Sequence, residues 1–422
     1  MAQPETSSYS SASQCLAQSE NEYVKIEHSK DRGRYFIAKT DVPAETVVLK
    51  SYPYATAIFD TQRKRVCAHC VYVHPTKSFS LHCKQCDQVY FCSQQCHDEY
   101  LGSGTAQGVN HQRICAPLRK LATLKADKHM KSVTKMILHL FWERARNECG
   151  VHWSRSQAQW WEVGDTDITR GLEDLNLRKD IAPVESNFDM VLALESHYHR
   201  WTTDDCQSWK RLYTFLHTSL TECGLLKESD TMDFIMHLIS RVESNGFGMY
   251  WAKPSKKRDQ DPFGRALFPH AAFFNHDCDR NCEATQLIGD DGTSEVEEPA
   301  AETPVDTAEE QQLELKGEPD QEQQAKAIVV PSVFDSPRGA FRLMLVRTLR
   351  VAQADKPLCI SYIDWDQPVA ARRRKLLEEY FFECMCERCV KESQVKPKTK
   401  KSSNKRHVTV SKTNKPARID GL

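Results

Sequence analysis

The chain has 422 residues, 40% of them hydrophobic and 27% charged, which is enough for two or three domains with real cores and too mixed for a fibrous or wholly disordered protein. No stretch approaches the ~18 consecutive apolar residues of a membrane span, and the opening MAQPETSSYSSASQ lacks the charged and apolar regions of a secretory leader. The formal charge of −1 gives no bulk case for a nucleic-acid or membrane binder; in a chain that reads as soluble and intracellular, 17 cysteines point to metal ligation before disulfides.

In chain order, residues 1–20 read as a disordered N-terminus. Short strands follow at 23–27, 34–38 and 46–50, punctuated by Asp31, Gly33 and Pro43. Residues 67–115 form a cysteine-rich block. Past Pro117 the apolar period changes: Val133, Met136, Ile137, Leu140 and Phe141 share one helical face. Two more helical stripes run through Trp209, Leu212, Phe215, Leu216 and Leu220, and through Phe234, Ile235, Leu238, Ile239 and Val242.

From Asp290 to Lys326, 13 acidic residues stand against Lys316 and Lys326, a net −11. Poor in aromatics, this stretch cannot bury enough apolar area to offset the entropy of ordering, so 290–335 is expected to be a disordered acidic loop. Strands are expected at 341–346 and 358–363 and a helix at 369–382. Residues 391–422 carry ten Lys or Arg against Glu392 and Asp420, a net +8 that reads as a disordered basic tail. The near-zero total charge is therefore a cancellation between two segments. No internal repeat is visible.

The cysteine block is the strongest signal. Its pairs run Cys67-x2-Cys70, Cys83-x2-Cys86, Cys92-x3-Cys96 and His111-x3-Cys115. Eight ligands in closely spaced pairs suit two tetrahedral zinc ions, and full ligation argues for structural metals, since a catalytic zinc keeps an open position. The alternative is a set of buried thiols with an unrelated histidine. A RING domain would place a His at the fourth or fifth ligand and end in Cys-x2-Cys, whereas this block ends in Cys-x3-Cys and His-x3-Cys. The arrangement resembles a MYND finger. That resemblance implies interleaved ligands, with one zinc on Cys67, Cys70, Cys92 and Cys96 and the other on Cys83, Cys86, His111 and Cys115. It also implies a groove for a proline-containing peptide. The stretch GSGTAQG before His111 lengthens the usual spacing, and the Trp usual before that His is absent.

Three further segments belong together: Arg32-Gly33-Arg34-Tyr35-Phe36-Ile37-Ala38, Phe273-Phe274-Asn275-His276-Asp277-Cys278-Asp279-Arg280-Asn281, and Leu358-Cys359-Ile360-Ser361-Tyr362, the last followed by Cys384, Cys386 and Cys389. In this order, with a MYND finger after the first, they resemble the split SET domain of the SET-and-MYND (SMYD) protein-lysine methyltransferase family. Members of the short fungal kind, without a C-terminal helical-repeat domain, are the most similar. The resemblance implies an α+β fold whose β-rich SET domain is split over 21–66, 236–289 and 336–366. The MYND finger occupies 67–115, a helical insertion 116–235 and a zinc-binding post-SET segment 367–390.

The same resemblance assigns roles. Arg32, Gly33 and Arg34 would lie against S-adenosylmethionine, joined by Glu195 and His197 from the inserted region, by Asn245, and by Asn275 and His276; Tyr380 and Phe382 border the cofactor as well. Phe247, Tyr362, Tyr380 and Phe382 match the family's substrate channel, with Tyr362 as the catalytic residue. Cys278 would join Cys384, Cys386 and Cys389 on a third zinc. Seven finger cysteines and these four leave six ordinary thiols: Cys15, Cys149, Cys206, Cys223, Cys282 and Cys359. Departures from the family pattern are Asp277 and Arg280 for Ser and Pro, Tyr35 for the second glycine of Gly-Arg-Gly, and Asp355-Lys356-Pro357 for Gly-Glu-Glu.

Methyl transfer from a sulfonium to an amine is an in-line displacement, so the nitrogen must be neutral and aligned at about 3 to 3.5 Å. A free lysine titrates near 10.4, leaving about 0.1% neutral at pH 7. An aromatic channel penalises the ammonium by desolvation. The expected activity is S-adenosylmethionine-dependent methyl transfer to a lysine of a histone or other protein, in a monomer with three structural zinc ions, located in the nucleus, the cytoplasm or both. The rival is a catalytically inactive adaptor whose finger binds proline-containing peptides. No membrane partner is expected, and no nucleic acid beyond non-specific contact by the tail, because the finger lacks a basic stripe with interleaved aromatics.

Overall fold

The structure is a computed structural model and describes residues 16–74, 77–102, 109–151, 181–250, 261–286 and 343–394. The expected acidic loop and basic tail, and the first fifteen residues, lie outside these ranges apart from the few at their edges. Among the described residues no helix is long and apolar enough to cross a membrane.

The β part is a set of small sheets. Strands β1 (Val24–Ser29) and β2 (Gly33–Ala38) form an antiparallel hairpin in which Val24 faces Ala38 and Ser29 faces Gly33. Gly33 has φ +63, a left-handed conformation that glycine adopts without a Cβ penalty. Strand β3 (Val47–Ser51) pairs with β11 (Met344–Thr348), which pairs with β10 (Cys282–Gln286). Strand β4 (Ala55–Ile58) pairs with β8 (Gly264–Leu267) and β8 with β7 (Gly246–Met249). A Cβ at Gly264 would stand 2.8 Å from the Ala57 carbonyl oxygen and 2.6 Å from the Met249 methyl, so the middle strand fits only as glycine there. Strands β5 (Leu81–His82) and β6 (Tyr90–Phe91) lie in the cysteine block. Strands β9 (Asn275–His276) and β12 (Cys359–Ile360) run parallel.

Helices pack on these sheets by the stripes that predicted them. Helix Lys128–Glu148 begins at Asp127, whose carboxylate accepts from the Met130 N–H at 2.9 Å, and it buries Val133, Met136, Ile137, Leu140 and Phe141 completely. Its inner face lies against the wholly buried β4. Helix Thr203–Glu222 starts with a reciprocal capping box between Thr202 and Asp205. Helix Met232–Asn245 runs straight into β7, across the division expected after residue 235. One large core takes in the cysteine block, these helices and most strands; a satellite core of Cys278, Ile363, Leu376, Cys384 and Cys389 holds the C-terminal segment.

Three expected elements have different limits. The strand expected at 341–346 is Met344–Thr348, with 341–342 outside the described residues, and the one expected at 358–363 is strand only over Cys359–Ile360. Tyr362 has left the ladder because its N–H bonds a side chain instead. The C-terminal helix spans Val369–Tyr380, ending where Phe381 turns left-handed at φ +61.

Candidate functional site

The cysteines gather into three tetrads: Cys67, Cys70, Cys92 and Cys96; Cys83, Cys86, His111 and Cys115; and Cys278, Cys384, Cys386 and Cys389. Within each, the ligand atoms lie within 4.8 Å of one another. The Cys70–Cys92 and Cys92–Cys96 sulfurs are 3.6 Å apart, Cys83–Cys115 3.8 Å, Cys278–Cys384 3.9 Å and Cys389–Cys278 3.5 Å. A tetrahedron with metal–sulfur bonds of about 2.3 Å has edges of about 3.8 Å, whereas a disulfide requires about 2.05 Å. The donor sets therefore fit zinc. Ser93 caps helix Gln94–Leu101 through the Cys96 N–H, which aims Cys96 at its tetrad. His111 turns Nε2 toward Cys86 at 3.5 Å.

The third tetrad carries more support around it. Hydrogen bonding from Cys384, then from His276 and Cys389, lowers the Cys278 thiol below its ordinary range, toward the thiolate form a metal binds. Arg372, fully buried, points Nη2 at the Cys389 sulfur at 3.4 Å and at Glu392 at 2.7 Å. Four thiolates on a divalent ion leave a net charge of −2, and a buried guanidinium offsets part of it.

Beside this tetrad, Tyr362 is held at three points. Its N–H donates to His276 Nδ1 at 3.0 Å, its hydroxyl to the Phe274 carbonyl at 3.0 Å, and its own carbonyl accepts from the Tyr380 hydroxyl at 3.3 Å. The Tyr362 and Tyr380 rings are 5.0 Å apart. Burial first, then proximity to Tyr380, pushes the Tyr362 hydroxyl far above the usual phenol range, so it stays protonated. Tyr362, Tyr380, Phe247 and Asn245 line a cavity of about 660 Å³. Phe382 lies against His276, centroids 6.1 Å apart.

The remaining expected residues are linked by pairwise contacts, and of them only Asn245 shares a cavity wall with Tyr362. Asn275 Nδ2 donates to the Arg32 carbonyl at 2.8 Å, tying β9 to the Arg32–Gly33–Arg34 turn, and a Cβ on Gly33 would meet nothing within 4 Å. The glycine backbone thus faces open space, as the close approach of a ligand requires. Arg34 donates to the Ala193 carbonyl and lies over the Phe273 ring. Asn245 Nδ2 bridges the Glu195 and Arg241 carbonyls at 3.0 and 2.8 Å. The His197 N–H donates to Ser240 Oγ at 2.9 Å and its ring lies 5.0 Å from Phe381; burial lowers its pKa. A second cavity, of about 590 Å³, lies against the second tetrad between His82, Lys84, His97, Leu101 and Gln112.

No family model matches the chain. It is 20% identical over 392 residues to a SET and MYND domain-containing protein of Dictyostelium discoideum, an alignment covering 87% of this chain and 81% of that one. Identity is 21% over 371 residues with the mouse histone-lysine N-methyltransferase Smyd1, covering 88% of this chain and 56% of that protein. It is 23% over 378 residues with the histone-lysine N-methyltransferase ASHR2 of Arabidopsis thaliana, covering 87% and 71%. The chain is a distant homologue of these SET and MYND domain proteins over most of its length. A solved SET domain, that of LSMT bound to lysine and AdoHcy, overlays with TM-score 0.35 at 12% identity over 90% of this chain and 58% of that one, an overlay too loose to place any residue.

Three residues to which the sequence gives no role touch the expected ones. Arg241 donates Nε to the Leu194 carbonyl at 3.0 Å and lies within electrostatic reach of both Glu195 and Arg34. Phe274 supplies the carbonyl that receives the Tyr362 hydroxyl. Arg372 braces the third tetrad. Helical periodicity could have flagged only Arg372, the one charged residue sharing its helix's buried face with Leu376.

Proposed function

We propose that this chain transfers a methyl group from S-adenosylmethionine to the side-chain amine of a lysine in a protein. One observation carries the reading: a protonated tyrosine, Tyr362, fixed at its N–H, carbonyl and hydroxyl, stands in the wall of a 660 Å³ cavity with Phe247 and Tyr380. S-adenosylmethionine, when bound, supplies an electrophilic methyl on a sulfonium. Arg32, Gly33 and Arg34 would hold it together with Asn275, Asn245, Glu195 and His197, with Arg34 and Arg241 the cations near these residues.

The aromatic wall desolvates the incoming lysine and so favours its neutral form. Tyr362, kept protonated, orients the amine and the moving methyl through its dipole and takes no proton. The Phe274 carbonyl fixes that hydroxyl in advance, which removes reorientation from the reaction step. Three zinc ions would be structural, since each tetrad is complete. The substrate is a histone or another protein with an accessible lysine. The cavity beside the second tetrad supports a second, compatible role for the finger, holding an extended proline-containing peptide.

Calorimetry on the purified chain tests the cofactor half. S-adenosylmethionine should bind at one site per chain, and Asn245→Ala, which frees the Glu195 and Arg241 carbonyls, should weaken it by about tenfold, the worth of one such hydrogen bond. Absence of binding at millimolar cofactor would leave only the adaptor role.

A further inference from the structure

Both ring nitrogens of His276 are engaged, and on different partners. The backbone N–H of Tyr362 can only donate, so His276 Nδ1, 3.0 Å away, must be the bare acceptor nitrogen. With Nδ1 accepting, the ring's N–H is at Nε2, and Nε2 lies 3.2 Å from the sulfur of Cys278, a member of the third tetrad. A metal-bound thiolate is a charged acceptor for that N–H, the outer-shell arrangement that orients ligands in metal sites.

We propose that His276 is a positioning residue that ties the metal site of Cys278, Cys384, Cys386 and Cys389 to Tyr362. The ring stands at the end of the parallel pairing of β9 with β12, where His276 faces Ile360 and the Asp277 N–H donates to the Ile360 carbonyl at 3.0 Å. Two residues on, Tyr362 is gripped at both ends by the 274–276 segment: its backbone by His276 and its hydroxyl by Phe274. Tyr362 and Phe382 lie beside the imidazole, centroids 5.5 and 6.1 Å away. Because both nitrogens are spoken for, any contact of His276 with a cofactor is through its backbone. A tetrad without its metal offers Nε2–H no fixed charged acceptor, and the ring and the Tyr362 N–H lose their common register.

The part of the claim that concerns catalysis rests on the methyl-transfer reading; the part that concerns the metal does not. Nitrogen-15 NMR of histidine-labelled, zinc-loaded protein should show His276 Nδ1 as the acceptor of the Tyr362 N–H and the ring's N–H at Nε2; an N–H at Nδ1 overturns the proposal. Zinc release to a chelator gives a second, independent reading. In His276→Leu one of three zinc equivalents should leave about 10- to 100-fold faster than in the native chain, the usual effect of removing an outer-shell partner. His276→Gln, whose amide keeps one donor and one acceptor, should recover most of the difference. An unchanged release rate in His276→Leu overturns it too.

In methyl transfer His276→Leu should lower kcat by at least about tenfold with little change in the KM for S-adenosylmethionine. A raised KM with kcat intact would make His276 a cofactor contact and contradict the tie to Tyr362. Should the native chain transfer no methyl at all, the earlier reading fails while the NMR and zinc measurements still decide this one.

Discussion

The sulfurs of Cys278 and Cys389 lie 3.5 Å apart although 111 residues separate them in the chain. That contact closes the C-terminal segment onto the strand that carries Asn275 and His276, and with it brings Tyr380 over Tyr362. A metal at this point is thus a clasp between two distant parts of one site, and its removal can be read separately from that of the two metals in the finger.

Metal analysis should find three zinc equivalents in the native chain. Cys389→Ser should lower this to two, since the tetrads share no residue, and should expose 367–394 to proteolysis while the finger stays folded. Three retained equivalents would show that the third tetrad is not a metal site.

Arg372 is buried among the ligands of that tetrad. Arg372→Met keeps its bulk and removes its charge, and should destabilise the C-terminal segment by about 1.5 to 3 kcal/mol, the range for hydrogen bonds to charged groups. Hydrogen exchange in the helices Val369–Tyr380 and Glu387–Gln394, compared with that in helix Lys128–Glu148, measures the loss locally.

The helical region is pinned by a buried bidentate pair. Arg144 meets both carboxylate oxygens of Asp230 at 2.9 and 2.6 Å, and its guanidinium lies over Phe141 and Phe188. Asp230→Ala leaves an uncompensated buried cation and should cost about 3 to 5 kcal/mol in urea unfolding; replacing both partners by apolar residues should restore much of it.

His270, fully buried, donates Nε2–H to the Glu185 carbonyl at 2.9 Å and accepts from the Ser19 hydroxyl at Nδ1, 2.5 Å away. Burial lowers it from the ordinary 6.5 to about 4. The unfolded chain therefore gains this proton first as pH falls, and stability drops from about pH 6.5 down to about pH 4. Between pH 7.5 and 5 the native chain should lose about 2 kcal/mol more than His270→Asn. Equal losses in the two proteins would mean that His270 titrates normally.

What the sequence makes legible here follows from range. The ligand pairs are local in the chain, and so are the stripe of Val133, Met136, Ile137, Leu140 and Phe141 and the caps at Asp127 and Thr202, so spacing alone exposes them. Strands β4, β7 and β8 are four residues each and mix Gly, Ala and Thr with larger side chains, and β4 is buried on both faces, so no alternation marks it. The grouping of residues around Tyr362 came from resemblance to a family. Its inner connections, Asn275 to Arg32 and Asn245 to Glu195, span 243 and 50 residues and have no local signature. Nor can any pattern show which way a histidine ring faces.

The proposed methyl transfer depends on Tyr362. Radiolabelled methyl from S-adenosylmethionine, offered with histones and with fractionated cell extract, measures it directly. The native chain should label a protein lysine; Tyr362→Phe, with zinc content and cofactor affinity unchanged, should lose at least about a hundredfold in kcat, the scale of removing one preorganised catalytic dipole. Transfer by Tyr362→Phe at the native rate would contradict the account.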